Sequence, residues 1–228
     1  MALTTADVAL QLAILLFTLG IFLAIHCISK HPRTQHHRPK NRTTLQANRH
    51  ILQATHLLSR AKSLPRGGGS QSQASLAKTA LAEAETAISL SPKDPAPLLL
   101  RALALDLLGH TASALKSIDS ALSFPRGKLL SQKDRADALV KRAELKLAVN
   151  RRRRVDSAIQ DLKQAVELLA KCSSATADGG DTTRPLCLLG QCYESKGMTD
   201  EAKWAFGEAL RLRPGSVMAR RGLDRLGS

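Results

Sequence analysis

Aromatic side chains are scarce in this chain: one tryptophan, one tyrosine and four phenylalanines stand among 228 residues, while 43% of the residues are hydrophobic. Sheet cores draw on aromatic and β-branched bulk, so the shortage argues against a β-sandwich and for helices packed through alanine and leucine. Cysteine is sparse too, and Cys27, Cys172, Cys187 and Cys192 lack the paired spacing of a metal site. Cys187 and Cys192 lie five apart on a predicted helix and point in different directions, which favours free thiols in a reducing compartment.

Acidic residues are in deficit, 19 against 34 Lys and Arg, for a net charge of +15. The excess is uneven, because the chain through Arg66 holds nine basic residues and a single acid, Asp7. Catalytic patterns are missing as well. The run Arg66, Gly67, Gly68, Gly69, Ser70 lacks the lysine and the preceding strand of a phosphate loop. His36 and His37 lack the helical spacing of a zinc pair, and Glu83 with Glu85 or Asp200 with Glu201 read as solvated helix residues. No enzymatic activity, cofactor or metal is expected.

Lys and Arg are absent from residues 1–7, and residues 8–25 are apolar apart from Gln11, Thr18 and Gly20, with Cys27 and Ile28 extending the run past His26. At ~1.5 Å per residue that length crosses a bilayer. The basic start and small-residue cleavage site of a signal peptide are not evident. Lys30, Arg33, Arg38, Lys40 and Arg42 follow the run, so the positive-inside rule leaves the bulk of the chain in the cytosol. The expectation is a short tail (1–7), a single-pass signal anchor (8–28) and a basic juxtamembrane linker (29–43). The competing reading is a buried helix of a soluble domain. Such an anchor and flank resemble those of chloroplast and mitochondrial outer-membrane proteins, and the organelle, these or the endoplasmic reticulum, stays open. Cys27 lies where S-palmitoylation occurs, with an unmodified thiol the simpler state.

What the chain does have is a row of alanine pairs seven residues apart: Ala80 and Ala87, Ala114 and Ala121, Ala158 and Ala165, Ala202 and Ala209. Seven residues make about two helical turns, so each pair shares a helix face on which a neighbouring helix can approach closely. An apolar–polar–apolar triplet follows each pair, as in Ile88-Ser89-Leu90 and Leu210-Arg211-Leu212. The first interval between pairs, 34 residues, is the period of a helical-hairpin repeat; the next two are longer.

The last unit is the clearest: Leu186, Leu189, Gly190, Tyr193, Gly197, Ala202, Phe206, Ala209, Leu210, Leu212 and Pro214. It resembles the tetratricopeptide repeat, whose first helix carries an apolar then a small residue and an aromatic, and whose second carries Ala, an aromatic, Ala and a closing proline. Gly197 is expected to end a helix at positive φ, and Pro214 to stop one. A second unit, 95–125, fits with Leu98, Ala102, Leu105, Gly109, Ala114, Ile118 and Ala121. A third, 136–170, has its turn lengthened by about three residues through Asn150 and four arginines, and closes at Ala170 without a proline. The first, 44–92, pairs a helix over 44–63 with one over 75–90 across the glycine-rich loop. A linker (171–182) precedes the last unit (183–214), and a capping helix (216–227), which Ser216 can cap, follows it. The resemblance thus implies an all-α, right-handed α-solenoid of about four hairpins plus a capping helix, preceded by a single transmembrane helix.

Such arrays hold a peptide or helix against their first helices. Here Leu99, Leu103 and Leu107 predict an apolar groove for a protein or amphipathic helical partner, unless those leucines meet only the chain's own 44–63 helix. The version that clamps acidic chaperone tails needs Lys and Asn where this chain has Leu99 and Leu103, so that partner is not expected. Arg151, Arg152, Arg153 and Arg154 form the densest basic run of the repeat region. Its alternatives are a solvated loop or a contact with RNA, anionic lipid or an acidic protein. Nucleic acid is disfavoured, since Phe124, Tyr193, Trp204 and Phe206 are the only aromatics past the anchor and most have core roles. The reading is a membrane-anchored adaptor or scaffold facing the cytosol, in its sharpest versions an assembly factor or an organelle-surface receptor.

Overall fold

The computed structural model describes residues 38–64, 70–175 and 181–227. The predicted tail, the membrane span 8–28 and the linker up to residue 37 lie outside the described residues. Among the described residues, no helix is long and apolar enough to cross a membrane. The chain divides into two units, Met1–Arg42 and Thr43–Ser228; the second contains the repeats.

Eight α-helices are described: α1 (Arg38–Ser63), α2 (Ser70–Leu90), α3 (Ala96–Leu107), α4 (Thr111–Leu122), α5 (Gln132–Ala175), α6 (Thr183–Ser195), α7 (Thr199–Leu212) and α8 (Val217–Gly227), with a 3-10 turn at Arg126–Leu129. The paired alanines explain the stacking. All eight have no solvent exposure, so a larger side chain at any of them would push neighbouring helices apart. Further alanines at the same seven-residue spacing, Ala47, Ala54 and Ala61, are buried on α1. α1 starts at Arg38, inside the stretch expected to be linker, and α2 starts at Ser70, ahead of the residue 75 expected.

Two turns follow one recipe. Gly109 and Gly197 end α3 and α6 with φ of 82° and 74°, a conformation that costs glycine little. The next amide closes back to the last turn, His110 N–H to Leu105 O at 2.8 Å and Met198 N–H to Tyr193 O at 3.0 Å. At the start of α3, the Asp94 carboxylate accepts the Ala96 N–H at 2.9 Å. Ser216 does the same for α8 through the Ala219 N–H at 3.4 Å.

The third hairpin corrects the sequence reading. No extra loop separates its helices: α5 runs through the site, and only Asn150 leaves helical geometry, at φ −160° and ψ 94°. Its Oδ1 accepts the Arg153 N–H at 3.0 Å, so Asn150 caps a second arm in which the four arginines form the opening turn. The added residues lengthen the helices. The second arm also runs beyond Ala170 to Ala175, into the expected linker. Between the arms, Asp161 is almost wholly buried and bound by Arg142, at 2.9 Å from Nε and 2.5 Å from Nη2, and by Lys146 at 2.7 Å.

A candidate partner-binding groove

Leu99, Leu103 and Leu107 recur every four residues and share one face of α3. They line a cavity of about 610 Å³ whose other walls are chiefly the first arm of α5, the start of α6 and the end of α1, with Ile118 of α4 and Leu169 of the second arm of α5. Most of the lining thus comes from the first helices of the four hairpins. Ala138, Val140, Leu169 and Pro185 continue the apolar lining. Leu103 and Leu107 also pack with Leu57 and Leu58 of α1. The chain's own helix therefore covers part of the leucine stripe, and the three leucines remain half-exposed.

The rim is charged. Lys141 bridges Asp106 of α3 at 2.6 Å and Glu144 at 3.2 Å, and Arg184 of α6 pairs with the same Glu144. This relay ties three walls together. Asp181 pairs with Arg213 at 2.9 Å. Asp134 accepts the Ser131 hydroxyl at 2.6 Å, whereas Asp137 has no cationic partner within ion-pair distance among the described residues. Desolvation by the groove wall, followed by the adjacent Asp134 carboxylate, raises the pKa of Asp137. Partial burial and the nearby Lys141 and Arg184 lower that of Lys62. These rim charges were not read from the sequence, although Asp134, Asp137, Lys141 and Glu144 stand at the three- and four-residue spacing of one helix face.

The four arginines lie elsewhere. All are exposed and none forms an ion pair among the described residues. Arg151 reaches a shallow cleft with Gln191, Glu194 and Arg225, in which Arg225 holds Glu194 through two bonds of 2.8 and 2.7 Å. Trp204 is 58% exposed, whereas Phe206 is fully buried. Cys187 and Cys192 are buried free thiols, and burial pushes Cys192 up to about 11, so its reactive thiolate is scarce at neutral pH. Cys27 lies outside the described residues. No group of three or more potential metal ligands occurs among the described residues.

Residues 183–216 match the tetratricopeptide repeat. Among curated proteins, none matches the chain in sequence. Solved structures are similar in fold. MamA residues 41 to the end from Desulfovibrio magneticus RS-1 shares 20% identity over 79% of this chain and 83% of that one, with a TM-score of 0.56. YrrB, described as a TPR protein with an unusual peptide-binding site, shares 18% over 69% and 74%, with a TM-score of 0.52. A chain of the APC/C hetero-tetramer Cut9–Hcn1 shares 17% over 69% of this chain but 28% of its own length, with a TM-score of 0.56. At these identities the likeness is one of architecture: an all-α helical repeat of tetratricopeptide type, with a recognisable repeat at residues 183–216.

Proposed function

We propose that this chain is a non-enzymatic adaptor that holds a protein partner in the leucine-lined groove, anchored by residues 8–28 to a membrane with the repeats in the cytosol. The observation that carries the reading is the groove itself, a cavity with a leucine stripe and a charged rim, lined mostly by the first helices of successive hairpins. Groove binding by an amphipathic segment buries apolar side chains and positions polar ones at the rim. The peptide-binding site named for YrrB lends support by analogy of fold. The same scaffold suits an assembly factor or an organelle-surface receptor. An acidic chaperone tail would meet Asp106, Asp134, Asp137 and Asp181 at the rim, which disfavours it.

Co-purification of the tagged full chain with and without Leu103→Glu tests the reading. A partner retained in high salt by the wild type and lost from the variant supports groove binding; a partner retained equally by both overturns it. A fluorescent fusion of residues 1–42 tests the anchor, and diffuse signal sinks it. Protease protection of a C-terminal tag in sealed vesicles would reverse the topology.

A second reading rests on the arginines, which sit where the helix dipole disfavours cations by about 0.3–1 kcal/mol each and form no ion pair among the described residues, although Arg151 shares a cleft with Glu194. They would serve as a basic contact for RNA or anionic lipid. Salt-sensitive binding abolished by replacing the four with alanine, and unaffected by Leu103→Glu, is the outcome that selects this reading.

A further inference from the structure

We propose that the groove selects a cationic amphipathic segment, one whose apolar stripe meets Leu99, Leu103 and Leu107 and whose Lys or Arg side chains meet Asp134 and Asp137. The inference rests on the groove-binding reading and adds the charge of the occupant.

The argument is one of compensation. Lys141 and Arg184 are already committed to Asp106 and Glu144, and Arg213 to Asp181. Asp134 and Asp137, three residues apart on one face of α5, have no ion pair among the described residues, and the cations acting on Asp137 are Lys133 of the same helix and Arg184, already paired with Glu144. The described lining holds four aspartates, Asp106, Asp134, Asp137 and Asp181, against Lys62, Lys141 and Arg184, a local excess of negative charge in a chain whose net charge is +15. An acidic partner is attracted by the chain as a whole but repelled at the groove, whereas a basic one gains its favourable contact only there. Both carboxylates are exposed beside the apolar floor and so are open to a bound partner. A guanidinium or ammonium brought against them adds charge-assisted hydrogen bonds. Leu103 and Leu107, partly covered by α1 but still open, supply the apolar half of the contact.

The test uses the full chain in a non-ionic detergent and three immobilised helical peptides of about five turns. One carries a leucine stripe flanked by lysines, one the same stripe flanked by glutamates, and one the lysines with an alanine stripe. Interferometry should show the leucine–lysine probe held about tenfold more tightly than the leucine–glutamate probe, with the alanine–lysine probe weakest. Asp134→Asn with Asp137→Asn should bring the first two together, and Asp137→Lys should invert their order. Because Asp137 is exposed, these variants keep the helical signal by circular dichroism even if Leu103→Glu does not fold. Equal binding of the two leucine probes, both lost in Leu103→Glu, overturns the charge selection and leaves groove binding standing. A lysine preference unchanged in the asparagine variant, or alanine–lysine binding as tight as leucine–lysine, overturns the proposal. Binding of all probes that ignores Leu103→Glu removes the groove reading itself.

Discussion

The third and fourth hairpins share the buried alanine pair and close on opposite chemistry. Three residues past the first alanine, α7 has Ala205 and the second arm of α5 has Asp161; one residue further stand Phe206 and Leu162, both without exposure. In the fourth hairpin the Phe206 ring lies against Gly190 of α6 and Gly222 of α8, where an added Cβ would come within 2.7 and 2.5 Å of ring atoms. Bulk from one helix is received by two that have none. The third hairpin has a smaller plug and instead draws Arg142 and Lys146 of its first arm onto Asp161. The earlier hairpins follow the polar pattern at the same position: Glu83 meets His50 of α1 at 2.6 Å, and Ser117 donates to Leu98 O of α3 at 2.9 Å. The position three residues past the first alanine thus ties second helix to first through polar groups in three hairpins, whereas in the last it is Ala205 and the closure falls to Phe206, one residue further.

The largest effect should come from the packed closure. Phe206→Ala leaves a cavity between two glycines that cannot fill it, and should cost about 3–5 kcal/mol, read by urea denaturation and by loss of amide protection in α6, α7 and α8. A cost below that of Leu162→Ala would break the contrast. Asp161→Ala should follow at about 2–3 kcal/mol, because Arg142 and Lys146 retain their charge but lose the carboxylate that compensates their partial burial. Replacing all three by Leu, Ala and Leu should recover stability to within about 1 kcal/mol of the wild type. If the triple replacement is as unstable as Asp161→Ala, the polar closure is not interchangeable with an apolar one.

What could be read in advance follows the same division. Alanine at close helix approach is a constraint of volume alone, so its spacing is visible in one dimension, and all eight positions are buried as packing requires. The row Ala47, Ala54 and Ala61 had the same spacing but is followed by Lys62, Ser63 and Leu64, with Lys62 where the other units carry an apolar residue, so the apolar–polar–apolar triplet that marked the others is absent. That Leu99, Leu103 and Leu107 share one helix face was legible because four-residue spacing fixes such a face. Asp161 was not, since whether a carboxylate in a basic chain is buried depends on which cations the neighbouring helix brings within 3 Å. The arginine run was misjudged for a related reason: charge density suggests a solvated loop, but a single cap at Asn150 lets the arms remain helical on either side.

The two hairpins also turn differently, and that difference should be worth less. Asn150→Ala removes the side-chain cap of the second arm and should cost about 1 kcal/mol. Gly197→Ala forces a Cβ onto a residue at φ 74° and should cost a similar ~1 kcal/mol. Hydrogen exchange should place the first loss at the 149–154 amides and the second at the end of α6 and start of α7; losses spread evenly over both hairpins would show that the turns are not independent.

The smallest expected effect is on the pH response, in which the two regions should move in opposite directions. Hydrogen bonds from Arg225 lower the pKa of the Glu194 carboxyl below its ordinary 4.5. The stability that Glu194 lends to the α6–α8 contact is therefore present above pH 4.5 and lost as pH falls through the folded value. Asp137 is the reverse, raised above its ordinary 3.8 by desolvation and by Asp134, with Lys133 and Arg184 partly offsetting. Its contribution is present below pH 3.8 and lost as pH rises through the folded value. Acidification from about pH 6 to about pH 3.5 should thus lower amide protection in α8 and raise it in the first arm of α5, each by no more than about threefold for such exposed groups. Glu194→Gln should flatten the first response alone. Asp137→Asn should flatten the second and slightly raise protection at neutral pH, where the wild-type carboxylate is charged. If both regions lose protection together on acidification, desolvation by the groove wall does not hold the Asp137 carboxyl above its ordinary range.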